Sequence, residues 1–233
     1  MTSLEAKPLP QGREKVQQVT AMFDTIARTY DRINRLMTFG LDRRWRRRSV
    51  EALGLPSRAT VVDLACGTGD FCEELGRSGY HAFGVDLSAG MLAAAHAAAP
   101  LTRADVTRLP LGDASVDGAT CGFALRNVVD IEELFAELAR VVRRGGRIAL
   151  LETAEPANPL LRFGHRLYFD HVVPRLGAAL SSDGAAYRYL PRSVAYLPPP
   201  DELVASVAAA GFPDANRRML SGGVVQLLLG TRA

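Results

Sequence analysis

At 233 residues, 48% of them apolar, the chain is long enough to bury a sizeable core and short enough to form one domain. Its net charge of +3 is too small to argue for a nucleic-acid partner, and none is expected, although Arg43, Arg44, Arg46, Arg47 and Arg48 fall within six positions. Cys66, Cys72 and Cys121 form no ligand-like array and no histidine pair stands at zinc spacing, so no metal site is expected, and reduced thiols point to the cytoplasm. The first residues lack the apolar core of a signal peptide and no apolar run reaches transmembrane length, so any membrane is expected to be met from its surface.

Residues 1–14, rich in Lys, Glu, Pro and Gly, read as a flexible tail, and a single domain is expected over 15–233. From Val16 to Leu53 the pattern is helical. Val19, Met22, Phe23 and Ile26 lie three and four apart, Ile33, Leu36 and Met37 repeat the spacing, and Gly40 precedes a basic helix around Trp45. This N-terminal helical cap, 15–57, closes at Pro56 and Ser57. TVVDLAC (60–66) then predicts a buried strand, 70–77 a helix, HAFGVDL (81–87) a second strand, and the alanine-rich 89–99 a helix. A short strand near 102–104, the strand VDGATCGFA (116–124), a helix over 131–142 and the strand RIALLE (147–152) follow. Residues 153–199 are aromatic, basic and too long for a simple connection; they read as a helical insertion over the sheet's ligand-binding edge. A helix over 200–210 and strands at 216–220 and 224–230 close the chain. Apolar strands alternating with helices predict a doubly wound α/β fold on a mostly parallel, seven-stranded, Rossmann-like sheet.

In such a sheet, ligands bind beyond the carboxyl ends of the strands. "VVDLACGTGDF" (61–71) places Gly67 and Gly69 there, where the lack of a side chain permits close approach and unusual backbone angles. A dinucleotide fingerprint wants glycine or alanine at the next position of the motif, which is Cys72, and the lysine and hydroxyl of a P-loop are missing. Asp86 ends the second strand, where its carboxylate either accepts both hydroxyl protons of a ribose or caps the helix that begins near Ser88. Asp63, inside an apolar strand, either orients loop amides or meets the charged end of a donor.

These segments resemble the class I S-adenosylmethionine-dependent methyltransferases: "VVDLACGTGDF" is similar to their first motif, "GVDLS" to the second-strand acid and "RADVTRLP" to the segment along the adenine. The resemblance implies S-adenosyl-L-methionine as cofactor. Gly67, Thr68 and Gly69 would surround its amino-acid part, Asp86 with Leu87 would hold the ribose, Asp105 and Val106 would border the adenine, and Gly122 would stand beside the donor. Three further blocks, "MFDTIARTYDRINRLMTFGLDRRWRR" (22–47), "FALRNVVD" (123–130) and "VVPRLGAALSSDGAAYRYL" (172–190), resemble the ubiquinone and menaquinone biosynthesis C-methyltransferases, over about Met22 to Gly230. That family methylates a carbon of a prenylated quinol ring, and its menaquinone branch turns demethylmenaquinol into menaquinol.

A methyl sulfonium is already electrophilic, so such an enzyme must chiefly align it with the nucleophile and exclude water. A quinol becomes a carbon nucleophile when a hydroxyl loses its proton, which calls for an acceptor and a stabilising charge. Arg126 and Asn127 are the first candidates to bind the quinol oxygen, with Arg126 as a salt-bridged loop anchor the alternative. Tyr30 and Asp31 are expected to close the pocket from the cap, and Asp170, His171, Tyr187 and Tyr189 are acid/base or ring-positioning candidates, although a lone histidine is more often packed than catalytic. Two departures stand out: Pro191 and Arg192 occupy positions where the family carries a different residue and a glutamate, and Gly122 replaces a frequent serine.

"LDRRWRRRSV" (41–50) suits either an anionic membrane surface, with Trp45 at the headgroups, or a solvated helix with Trp45 in the core. A prenylated acceptor favours the surface, at the inner face of the membrane. Rival functions are methylation of another small aromatic, and a non-catalytic donor-binding interaction protein. Against a nucleic-acid methyltransferase, the chain lacks the N/D-P-P-Y/F and Pro-Cys motifs of those enzymes. The oligomeric state is open, a homodimer included.

Overall fold

The computed structural model describes residues 9–173, 175–176, 189 and 192–233. Strands β1 (Thr60–Leu64), β2 (His81–Asp86), β3 (Leu101–Arg103), β4 (Val116–Gly122) and β5 (Val142–Thr153) pair in parallel. Strand β7 (Val225–Thr231) is antiparallel to β5, and β6 (Asn216–Leu220) to β7, giving the order β3-β2-β1-β4-β5-β7-β6. Parallel neighbours need crossovers. Helices α3 (Asp70–Arg77), α4 (Ala89–Ala93) and α5 (Ile131–Val141) supply three of them.

Successive strand residues point to opposite faces, and both faces here are covered, so the strands are apolar throughout. Val62, Ile148 and Leu150 pack with Leu134, Phe135 and Leu138 of α5 and with Leu203 and Val207 of the helix Pro200–Ala209. Val61, Ala149 and Leu151 face the other way, onto Phe71 and Leu75 of α3 and onto Trp45, Val50 and Leu53 of α2 (Leu41–Leu53). The basic stretch is therefore part of a core layer. Asp42, Trp45, Arg46, Ser49, Val50 and Leu53, spaced three and four apart, form the buried face of α2, while Arg43, Arg44, Arg47 and Arg48 are exposed. The expectation of Trp45 at a membrane surface is corrected: its indole packs against Phe123, and Nε1 donates to Ser221 Oγ at 2.8 Å.

Helix α1 (Gly12–Met37) starts three residues before Lys15, inside the stretch read as a tail, and crosses the carboxyl ends of the strands. Asp24 Oδ1 accepts from Ser88 Oγ at 2.5 Å and from Gly90 N at 2.7 Å, and a Cβ on Gly90 would stand 2.7 Å from Asp24 Cα. Asp31 Oδ1 accepts from Thr68 Oγ1 at 2.7 Å. Lys15 Nζ donates to the Val128 carbonyl at 2.7 Å and lies 3.8 Å from the Tyr196 ring centre.

The helix expected over 89–99 ends at Ala93 despite its alanines. Beyond it, His96 N donates to the Thr68 carbonyl and Ala97 packs on Gly69, so tertiary contact with the glycine loop after β1 overrides helix propensity. In the insertion, α6 (Pro159–Leu167) runs into a π-helical turn, Tyr168–Val172. Tyr187 and Pro191 lie outside the described residues. Among the described residues no helix is long and apolar enough to cross a membrane.

Because Gly90 meets backbone, Gly90→Ala must push α1 away. The expected result is a loss of about 1–3 kcal/mol of stability, read as a lower Tm, with faster tryptic cleavage at the exposed Arg28 and Arg32 of α1.

Candidate active site

A cavity of about 450 Å³ opens at the carboxyl ends of β1, β2 and β4, where the strand order reverses. Two residues just past strand ends adopt left-handed backbone there, Ala65 (φ +50°) and Phe123 (φ +59°). Such conformations cost free energy in non-glycine residues and persist only where the surroundings impose them. Phe123 is held by its amide, which donates to the Leu151 carbonyl at 2.7 Å.

Gly67 (φ +56°) donates its amide to Asp86 Oδ2 at 2.8 Å, and a Cβ there would stand 3.0 Å from Met91 Cε. Asp86 Oδ1 accepts from Ser88 N, also at 2.8 Å, while Ser88 Oγ caps α4 by accepting from Met91 N. Asp86 is thus not the cap of α4. It joins two loops, and a carboxylate holding one protein donor on each oxygen keeps lone pairs for two hydroxyls. Burial raises its carboxyl above the usual range, and the backbone donors oppose that shift.

Thr68, Leu87, Asp105, Val106 and Gly122 line the same cavity. Gly69 does not: at φ +96° it turns the chain into α3, and a Cβ would stand 2.4 Å from that of Ala97. Asp105 Oδ1 accepts from the amide and the hydroxyl of Thr107, both at 2.9 Å. Asp63 lies on the floor, where Oδ1 accepts from Thr120 Oγ1 at 2.7 Å. The loop amide goes to Asp86, so the amide-orienting role considered for Asp63 belongs to its neighbour. Glycines without room for a Cβ, a buried diol-sized carboxylate and an apolar slot beside Val106 fit an adenosine bearing an amino-acid arm.

Of the residues expected to act on an acceptor, Tyr30 and Asn127 line the cavity. Tyr189 donates its hydroxyl to Asn127 Oδ1 at 3.2 Å, which leaves the amide nitrogen as the donor of that side chain. Burial raises the Tyr30 phenol above its ordinary range, so Tyr30 is a hydrogen-bond donor at neutral pH. Asp31 contributes through Thr68, as described.

Two expectations are corrected. Arg126 stands behind the cavity as a loop anchor: its Nη1 donates to Glu152 Oε1, its amide to Glu152 Oε2 at 3.3 Å and its Nε to Ser193 Oγ at 3.1 Å, all buried. A buried glutamate captures the guanidinium, because an unpaired carboxylate there would be costly. His171 and Asp170 are exposed on the π-helical turn and do not line the cavity.

Of the described residues, three cations line it, Arg13, Arg46 and Arg108, and the buried one is Arg46, paired with Asp42 at 2.7 Å and with Asp70 at 3.3 Å. Its signal was the acid four residues earlier on the same helix face, hidden in the arginine run. Val16, Val19, Thr20 and Phe23 of α1 also line the cavity, and of these Val19 and Phe23 carry the helical spacing noted in the sequence. Asp31, Asp70 and His96 converge from three segments, a meeting no spacing could reveal.

Burial pushes the Asp63 carboxyl up to about 7. Between its unfolded value of about 4 and that figure, the native state holds a proton that the unfolded chain has released, so stability falls as pH rises through this interval. Asp63→Asn is expected to flatten the fall and raise the Tm of the ligand-free protein at pH above 7; an unchanged profile in thermal melts would show Asp63 already ionised. Arg126→Ala strands Glu152 and is expected to destabilise by about 3–5 kcal/mol, measured by denaturant unfolding.

Comparison with known proteins agrees with this geometry. The ubiE/COQ5 methyltransferase family matches residues 11–232. A demethylmenaquinone methyltransferase of Roseiflexus castenholzii is 42% identical, over 96% of this chain and 97% of the relative. A ubiquinone/menaquinone biosynthesis C-methyltransferase, UbiE, of Syntrophotalea carbinolica is 41% identical, over 93% and 95%. The fold is also that of a SAM-dependent methyltransferase from Thermotoga maritima, with a TM-score of 0.64 at 18% identity, covering 91% of this chain and 99% of that one. The chain belongs to the ubiE/COQ5 methyltransferase family.

Proposed function

We propose that this protein transfers a methyl group from S-adenosylmethionine to a ring carbon of demethylmenaquinol, giving menaquinol. The observation that carries the reading is one cavity shared by the Gly67–Asp86 donor loop and the Asn127 edge, in a chain matched over nearly its whole length by relatives named for that reaction. Bound there, S-adenosylmethionine supplies a methyl group already activated as a sulfonium substituent.

The chain's own residues then have distinct tasks. Asp86 accepts from the ribose hydroxyls, Asp63 faces the charged amino-acid arm, and Asp105 with Val106 borders the adenine. Asn127 donates its amide N–H to the quinol oxygen, and Tyr30 adds a second, neutral donor. Arg46, held between Asp42 and Asp70, fixes the cavity wall beside Phe71. Loss of the hydroxyl proton to solvent at the open cavity mouth leaves charge on the quinol oxygen, and the charge spreads to the unsubstituted ring carbon, so holding the oxygen orients the nucleophile. That carbon sheds its own proton after gaining the methyl. The acceptor is prenylated and bilayer-borne. The reading therefore includes a cytoplasmic enzyme that touches the inner, anionic face of the membrane.

Labelled methyl is expected to pass to demethylmenaquinol and not to soluble phenols; no transfer to demethylmenaquinol would overturn the proposal. Asp86→Ala is expected to weaken donor binding by about 1–3 kcal/mol in calorimetry. Asn127→Ala should lower kcat by on the order of a hundredfold with donor affinity nearly intact, and a wild-type rate would remove Asn127 from the acceptor site.

A further inference from the structure

Ten large apolar side chains are exposed among the described residues. The tenth, Val129, lines the cavity; the other nine belong to three neighbouring elements, the α1–α2 corner, α6 with its π-helical turn, and β6. Phe39 and Leu160 are each 78% exposed and Phe163 is 69% exposed. No residue of α6 is buried, yet Leu160, Phe163 and Leu167 recur at spacings of three and four, an amphipathic stripe with no partner among the described residues.

The elements are stitched together. The Phe39 ring lies 5.9 Å from that of Tyr168, whose hydroxyl donates to the Met37 carbonyl at 2.7 Å. A Cβ on Gly222 would stand 3.2 Å from Leu161, and one on Gly223 would stand 3.6 Å from Met219 Cε, so α6 and β6 meet over one turn. That turn follows β6 at the level where Val225 pairs with Thr153, at the carboxyl end of β5, on the same sheet edge as the cavity.

Charge selects the occupant. Leu41, Arg44, Trp45 and Arg48 share one flank of α2, and Trp45 ties that flank to Ser221 in the same turn. The exposed Arg43, Arg44, Arg47 and Arg48 stand against one exposed carboxylate of α2, Glu51. On α6, Arg162 and Arg166 pair with Glu155. A two-fold contact between copies would bring one rim of arginines toward the other, whereas lipid phosphates complement it. We propose that this face seats on an anionic bilayer surface, with its apolar side chains among the headgroups and its arginines at the phosphates. The proposal rests on the reading that the acceptor is prenylated. It assigns the contact to α6, Phe39 and the outer flank of α2, in place of Trp45.

The test is flotation of the full chain with vesicles of phosphatidylglycerol or of phosphatidylcholine alone, at low and high salt and without acceptor. Wild type should float with phosphatidylglycerol, more at low salt. Phe39→Ser with Phe163→Ser should abolish flotation at either salt, and Arg44→Glu with Arg48→Glu should reduce it at low salt by on the order of tenfold or more. Both double variants should keep donor affinity and transfer to demethylmenaquinol dispersed in detergent, which shows that they fold. Equal sedimentation with and without vesicles would overturn the proposal, as would flotation unaffected by either pair. So would a dimer that Phe39→Ser with Phe163→Ser dissolves in a protein that binds no vesicles. Absence of methyl transfer in every variant, with flotation behaving as expected, would instead count against the acceptor assignment.

Discussion

The carboxylate of Asp86 is where the sheet, the donor loop and the covering helix are joined. It ends β2, receives the amide of Gly67 from the loop after β1 and the amide of Ser88 from the turn into α4, and so fixes two loops that belong to different strands. Ser88 in turn donates to Asp24, and Thr68, next to Gly67, donates to Asp31, so α1 is seated on the same pair of loops. A buried carboxylate is tolerated only when its lone pairs are engaged. Here two are engaged by the protein, and the rest face a cavity that a diol can fill. Structural demand and ligand demand fall on one side chain.

The parallel sheet was legible because burial on both faces leaves a plain trace, continuous apolar strands separated by helices. The bounds 70–77 and 216–220 match the observed elements. What the periodicity could not show was contact between segments distant in sequence. The alanines after Ala93 favour a helix, yet Thr68 and Gly69, over twenty residues earlier, draw them out of it. Likewise Val19 and Phe23 have the spacing of core residues, and only the position of α1 over the strand ends makes them cavity walls.

At the cavity, the residues expected around a donor come together more fully than those expected around an acceptor. The donor loop is a local constellation in which each glycine answers a backbone demand. On the other side both arginines find carboxylates, and they differ in where the backbone directs them. Glu152 takes Arg126, while Arg46, in a run that reads as solvated, is turned inward by the heptad-like spacing of Asp42, Trp45 and Ser49. Trp45 went to the core for the same reason: one face of α2 must complete the layer beneath β5, and the tryptophan has the largest apolar surface in that helix.

Gly122, at the end of β4, lines the cavity and also meets the helix that follows β1. A Cβ there would stand 2.6 Å from the ring of Phe71, the first aromatic of α3. The empty position at 122 and the aromatic at 71 therefore form one steric unit: the ring occupies the volume that a side chain on β4 would claim. Substitution at either position alone leaves an overlap or a void, so the two are free to change only together. A hydroxyl could be introduced at 122 only in a chain that also reshaped the start of α3.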